Sequence, residues 1–395
     1  MNTAFETELE KLLGESCESI KSRERSAFDE AAGDHAERLV LFGTGGLALR
    51  TLAGLRQVGI EPVAFSDNDS RKWNTTVEGI RVLPPEDAVR LWGDKAVFIV
   101  TIWSDRAGHP VSSIKRQLAA HGTVRVISFA PLYWKYASVF LPYFALDLPH
   151  QICAVAHRVR LAAQLWEDSL SQELYLAQLR WRLWLDTDSI DLMDSHSRAG
   201  ALYSPGVISA DEVIVDCGAF DGDTLRAIME GGAPFSRIVA IEPDPINCEK
   251  LRNYVASLPE KIGGKITILP FAAGSRRERL QFSSSGSMQS RFSAEGNLEV
   301  EAAPLDEVAY EFEPSYIKFD IEGAEPDALE GTRRILRDFR PKMAVSVYHS
   351  FDHLWEIPLL IKQLAESYNL RLYPAAKAGW DFMCLAAPRD KAFLP

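Results

Sequence analysis

Three features of the sequence predict an α/β protein with two mainly parallel sheets. Short apolar runs alternate with amphipathic helical stretches in two separate series. Each series opens with a strand that runs into a glycine-rich turn, FGTGG at residues 42–46 and DCGAFDG at residues 216–222. A helical stretch rich in tryptophan separates the two series. With 395 residues, 47% of them hydrophobic, the chain is long enough for two or three cores.

Residues 1–35 read as a charged helical segment without the apolar centre of a secretory signal. Residues 36–130 carry the strands RLVLFG, EPVAFSDND, AVFIVTIW and VRVISFAPL, with the helical pattern LALRTLAGLRQVG after the first. This is a small Rossmann-like unit. Residues 131–210 read as a helical bridge. Its apolar positions Val155, Val159, Ala162, Leu165, Leu170, Leu174, Leu179 and Leu183 fit a buried helical pair, and a lid or a dimer face is an alternative use. The turn-forming stretch SHSRAGALYSPG ends the bridge.

Residues 211–395 hold seven strand candidates: EVIVDCG, RIVAIEPD, KITILPFAAG, YIKFDIEG, KMAVSVYH, NLRLYP and DFMCLAAP. Helical stretches separate most of them. None separates the last two, so these form a hairpin and the seventh strand runs antiparallel. A Ser- and Gly-rich excursion between the third and fourth strands is expected to be irregular, with short β pieces. Its Ser285, Ser287 and Gln289 are candidates for a wall facing the acceptor.

Composition excludes several classes. A formal charge of -12 disfavours nucleic acid, which wants clustered positive charge. No window approaches the roughly 18–20 unbroken apolar residues of a membrane helix. Five cysteines, Cys17, Cys153, Cys217, Cys248 and Cys384, have neither disulfide-framework nor zinc-site spacing and suit a reducing cytoplasm.

Ligands of open parallel sheets bind beyond the carboxyl ends of the strands. The first strand of the second series ends in Asp216, Cys217 and Gly218, followed by Ala219, Asp221, Gly222, Asp223 and Thr224. Gly218 and Gly222 permit a close backbone approach, and Asp223 and Thr224 can cap the next helix. The second strand ends in Glu242, 26 residues after Asp216, where an acid can accept hydrogen bonds from both ribose hydroxyls. Asp216, Asp221 and Asp223 would repel a pyrophosphate. A cationic nucleoside such as S-adenosylmethionine, with sulfonium, ammonium and ribose, fits the loop better.

The run VDCGAFDGDT, then IEPDP, ILPFAAG, YIKFDIEGAEPDALEG and SVYHSFDHLWEIP, resembles the FkbM family of S-adenosylmethionine-dependent methyltransferases. The resemblance covers about residues 211–388 and implies a class I seven-stranded methyltransferase fold. It also implies O-methylation of a sugar, a glycan precursor or another small natural product. By this resemblance Asp216, Gly218, Ala219 and Asp221 form the first cofactor motif, with Gly222 completing the turn. Glu242 is the ribose-binding acid, Ala272 and Ala273 flank the adenine, and Asp320, Glu322, Gly323 and Glu325 form the central acidic motif.

Methyl transfer to a hydroxyl benefits from a general base. His349, which ends the fifth strand and by the family's topology stands next to Asp320 in sheet order, is the best candidate, with His353 a weaker one. His349 can equally serve only to order its loop. Asp320, Glu322 and His349 are also a conceivable magnesium set, since hard cations prefer oxygen ligands; Asp320 can alternatively contact the cofactor, and Glu322 can merely tie down the loop.

In the first series, Gly43, Gly45 and Gly46 let a phosphate approach a helix N-terminus, and Asp67 ends the second strand. The pattern resembles modules that hold nucleotide-sugars in some bacterial sugar-modifying acyltransferases. Three uses stay open: nucleotide-sugar binding, a nicotinamide cofactor, or a docking domain without ligand. A nicotinamide-dependent sugar oxidoreductase would need a Tyr/Lys or Cys pair near this loop, and no clear YxxxK is there. A non-catalytic scaffold is the remaining rival. The expectation is a cytoplasmic enzyme, with homo-oligomers allowed, acting on a small polar acceptor.

Overall fold

The computed structural model describes residues 3–102, 110–122, 124–186, 188–189, 193, 196, 201–283, 291–292, 298–375 and 381–391. Ser285, Ser287 and Gln289, and residues 195 and 197–200 of SHSRAGALYSPG, lie outside these residues. The chain divides into two compact units. One comprises chiefly Met1–His157 and Glu173–Ser197, and the other chiefly Arg158–Gln172, Arg198–Ala375 and Asp381–Pro395. The helical stretch after residue 150 is therefore shared: Arg158–Gln172 goes with the second unit and Glu173–Ser197 with the first.

The first unit holds β1 (Leu39–Phe42), β2 (Ala64–Ser66), β3 (Thr76–Val77), β4 (Ile80–Leu83), β5 (Val97–Val100) and β6 (Arg125–Ser128). Their order is β3-β4-β2-β1-β5-β6, parallel except for the β3–β4 hairpin. β1 and β5 are buried at every position, as the unbroken runs LVLF and VFIV require of strands covered on both faces. The helix Gly46–Gln57 connects β1 to β2 as a parallel crossover demands.

The cysteine expectation needs one correction. Cys17 and Cys153, 136 residues apart, form a disulfide between the helices Cys17–Ala32 and Gln151–Ala163. Spacing could not show it, because the partners meet only through tertiary packing. Cys217, Cys248 and Cys384 are free and buried.

The second unit holds β7 (Val213–Cys217), β8 (Arg237–Ile241), β9 (Ile266–Leu269), β14 (Tyr316–Phe319), β15 (Lys342–Ser346), β16 (Tyr368–Pro374) and β17 (Phe382–Pro388). They form one sheet in the order β16-β17-β15-β14-β7-β8-β9. β17 is antiparallel to both neighbours, as the missing helix predicted, and the other pairs are parallel. The excursion forms a small second sheet from β10 (Ala272–Ala273), β11 (Glu278–Ser283), β12 (Arg291–Phe292) and β13 (Leu298–Ala303).

One core face of the large sheet packs Ile214, Leu225, Ile228, Ile238, Leu251 and Tyr316 together. The chain lays down β7, β8 and β9 outward in one direction, then returns so that β14 pairs on the free edge of β7. That reversal is the topological switch point where open α/β sheets bind ligands. Among the described residues, no helix is long and apolar enough to cross a membrane.

Candidate active site

The loop after β7 is held against the end of β8 by its backbone. Gly218 and Ala219 donate their N–H groups to the Ile241 carbonyl at 3.0 and 3.1 Å. The Phe220 N–H reaches Glu242 Oε2 at 2.9 Å, and the Asp244 N–H reaches Oε1 at 2.9 Å. Gly218 has φ +81°, and a Cβ there would lie 2.0 Å from the Asp320 carbonyl oxygen. The end of β14 therefore approaches too closely for any other residue. Gly222, at φ +94°, ends the loop and opens the helix Asp223–Gly231.

Glu242 is 5% exposed. Burial pushes its carboxyl up to about 7, against the two backbone N–H groups that favour the charged form. The Asn247 side chain also bonds this carboxylate, which leaves part of its acceptor capacity for a ribose hydroxyl.

Asp216 and Lys318 are cross-strand partners on β7 and β14, with Nζ 3.1 Å from Oδ1. Burial lifts the Asp216 carboxyl to about 6, with Lys318 opposing the shift. Asp221 pairs with Arg226 through its carboxylate, and the same guanidinium donates to the Asp221 carbonyl at 3.0 Å. These cations amend the charge reading, because two of the three loop acids have partners. Asp216, Asp221, Asp223, Glu242 and Asp320 face Lys318, Arg226 and, at Asp320, His349, so the cleft still carries surplus negative charge.

Asp320, just past β14, accepts from Ser346 Oγ at 2.8 Å and from the Tyr348 hydroxyl at 3.3 Å. His349 lies three residues beyond β15. Its Nδ1 is 2.7 Å from Glu325 Oε1, and its Nε2 is 3.4 Å from Asp320 and 3.7 Å from Glu322. Burial works against the imidazolium, but the carboxylates of Glu325, Asp320 and Glu322 outweigh it and hold His349 at about 9. The His349 side chain therefore carries a proton at neutral pH.

Among the described residues no group of three or more His, Cys, Asp or Glu is arranged as a metal site. The magnesium set Asp320, Glu322 and His349 is not supported.

The structure thus gathers Asp216, Gly218, Ala219, Gly222, Glu242, Asp320, Glu322 and His349 at the ends of β7, β8, β14 and β15. Ala272 and Ala273 stand just past β9 but form β10, buried and paired with Ala302 and Ala303 of the small sheet. Lys318, Arg226, Tyr348 and Tyr203, whose hydroxyl bonds Thr224, were not foreseen. Lys318 left a signal: a lysine inside the apolar strand YIKF needs a buried anion.

In the first unit Gly43, at φ +106°, donates to the Ser66 carbonyl, and Gly45 caps the helix that Gly46 begins. Asp67 accepts from Thr44 at 2.5 Å, Lys72 at 3.1 Å and the Asp69 N–H at 2.9 Å.

This strand order, with its antiparallel seventh strand and its acid-lined switch point, defines the second unit as a class I methyltransferase fold. Residues 216–372 match the model of the methyltransferase FkbM domain, and this part of the chain is a domain of that family. The crystal structure of methyltransferase FkbM from Methylobacillus flagellatus KT shares the fold, with TM-score 0.70 and 22% identity over 98% of both chains. The redox-sensing transcriptional repressor Rex of Desulfitobacterium hafniense is 33% identical over 96 residues. That match takes in 24% of this chain and 44% of the repressor, so the chain spans less than half of that curated relative. The UDP-D-quinovosamine 4-dehydrogenase of Vibrio fischeri is 27% identical over 23% of this chain and 76% of its own, with TM-score 0.21.

Proposed function

We propose that the second unit binds S-adenosylmethionine at the switch point and methylates a hydroxyl of a small polar acceptor, a sugar or glycan precursor. The observation that carries this reading is Glu242, a buried carboxylate with unused acceptor capacity beside a cleft of surplus negative charge. Glu242 would hold the ribose, and the Gly218–Gly222 loop would line the cofactor. When bound, the cofactor supplies an electrophilic methyl group on a positively charged sulfur.

The chain's own residues would orient the acceptor oxygen and take its proton. Since His349 already carries a proton, Asp320 is the accepting atom of the pair, with a side chain 31% exposed. Its carboxyl is a weak base. Burial would raise its pKa, but Lys318, His349 and the Ser346 and Tyr348 hydroxyls hold it low. A weak base suffices because a hydroxyl becomes strongly acidic as its oxygen is alkylated. His349 would position Asp320 and hold the proton relay in place. His349→Ala should leave S-adenosylhomocysteine affinity nearly unchanged and lower turnover by roughly 10²–10⁴. Unchanged turnover with the true acceptor would remove His349 from the mechanism.

Labelled methyl donor offered with a panel of sugars and glycan precursors tests the reaction itself. Label recovered as an alkali-stable methyl ether supports O-methylation, and label found only on nitrogen or carbon contradicts it. A second reading concerns the first unit. Lys72, 2.9 Å from Thr44 Oγ1 and 3.1 Å from Asp67 Oδ2, puts a cation beside the glycine loop and suits a phosphate-bearing ligand there, which we take to be a nucleotide-sugar. Stabilisation of the melting transition by a UDP-sugar but not by NAD would support it.

A further inference from the structure

The reaction just described uses Lys318 only as one of the charges that hold Asp320 ionised, yet it is among the most constrained side chains of the site. It stands inside β14, 4% exposed. Its Nζ lies 3.1 Å from Asp216 Oδ1, 3.5 Å from Asp320 Oδ2 and 3.5 Å from the Gly218 carbonyl. Asp223 on the following helix and Tyr203 also face it. On its far side Asp320 meets Ser346, Tyr348, His349 and Asp381.

Asp216 and Asp320 share the Lys318 ammonium, and His349, the next cation, is divided among Asp320, Glu322 and Glu325, so carboxylates outnumber cations and negative charge is left in excess. Such an excess is costly when buried. Asp216 and Lys318 have side chains 3% and 5% exposed, whereas Asp320 is 31% exposed, so the excess opens toward the accessible side of the cleft. Without the lysine, two carboxylates that both stand within 3.5 Å of its ammonium would repel each other, which favours a proton held between them. They would then present a neutral acid where a cation must dock.

We propose that Lys318 is a positioning residue for the cofactor: its ammonium keeps Asp216 and Asp320 side by side as carboxylates, so that Asp216 and the Oδ2 edge of Asp320 receive the ammonium of an amino-acid-bearing nucleoside, while Oδ1, on the side of Ser346, Tyr348 and His349, is left to the acceptor. The proposal rests on the functional reading above, since it presumes that such a nucleoside binds.

Calorimetric titration with S-adenosylhomocysteine at about pH 8, in two buffers of different ionisation enthalpy, counts the protons released on binding. Glu242 is mostly ionised at that pH and contributes little. The wild type should release close to none. Lys318→Met should bind at least about tenfold more weakly and release close to one proton per ligand, and Lys318→Arg should restore both values. Asp216→Asn removes one acid without stranding a cation, because Lys318 keeps Asp320. It should weaken binding by about tenfold with no proton released, and it decides the matter if Lys318→Met does not fold.

Wild-type affinity without proton release in Lys318→Met, or wild-type affinity in Asp216→Asn, overturns this proposal alone. Failure of the wild type to bind S-adenosylhomocysteine overturns the functional reading and this proposal with it.

Discussion

Gly218→Ala is the substitution whose cost the structure defines most sharply. The new Cβ would sit 2.0 Å from the Asp320 carbonyl oxygen, 3.0 Å from its carbon and 3.2 Å from Ile321 Cγ2. None of the first two can swing aside, because both are backbone. β7 and β14 would have to part by ~1 Å to restore ordinary contact distance. That movement would strain the Asp320 N–H bond to Cys217 at 3.1 Å and the Lys318–Asp216 pair at 3.1 Å. The left-handed φ of +81° adds its own penalty. Backbone strain, overpacking and a weakened buried hydrogen bond together come to roughly 3–6 kcal/mol.

Gly232→Ala is the matched control. Gly232 also has a left-handed φ, +65°, but nothing lies within 4 Å of its added Cβ, so only the backbone penalty of about 1–2 kcal/mol applies. Urea denaturation, combined with hydrogen exchange at the β7 and β14 amides, separates the two. Gly218→Ala should lose the protection of those strands and its affinity for S-adenosylhomocysteine, while Gly232→Ala keeps both. Equal stability and equal affinity in the two variants would refute the close-approach reasoning.

Two further outcomes depend on pH. Glu242 titrates near 7, and hydroxyl donors favour its charged form, so S-adenosylhomocysteine affinity should rise from pH 6 to 8. Below pH 7 the change should be up to about tenfold per unit, and Glu242→Ala should show weak, pH-flat binding by calorimetry. His349 is raised from 6.5 to about 9 in the folded chain, so its stabilisation is complete below pH 6.5 and is lost as pH rises through 9. The loss is roughly 3 kcal/mol. Urea midpoints of the wild type should fall across that window, and those of His349→Gln should fall much less.

Both sheets were legible because parallel strands buried on two faces must be written as unbroken apolar runs, as in LVLF, VFIV and YIKF. The antiparallel β17 was legible because NLRLYP and DFMCLAAP leave no room for a crossover helix. The glycines after β7 and Glu242 after β8 were legible because strand ends are where such residues can meet a ligand. Register was not legible. Asp216 and Lys318 are 102 residues apart, and only the pairing of β7 with β14 puts them side by side. The protonation of His349 was hidden for the same reason, since it depends on Glu325, fully buried 24 residues away in sequence. The loop acids therefore read as more exposed and less compensated than they are.

The most direct measurement is a pair of calorimetric titrations on the intact chain, one with S-adenosylhomocysteine and one with NAD, repeated on Glu242→Ala. Micromolar-range binding of the thioether nucleoside that disappears in the variant is the expected result, with any NAD binding unaffected by the substitution. A dinucleotide that competes for the Glu242 cleft, or a nucleoside affinity indifferent to Glu242, would contradict the assignment of that cleft.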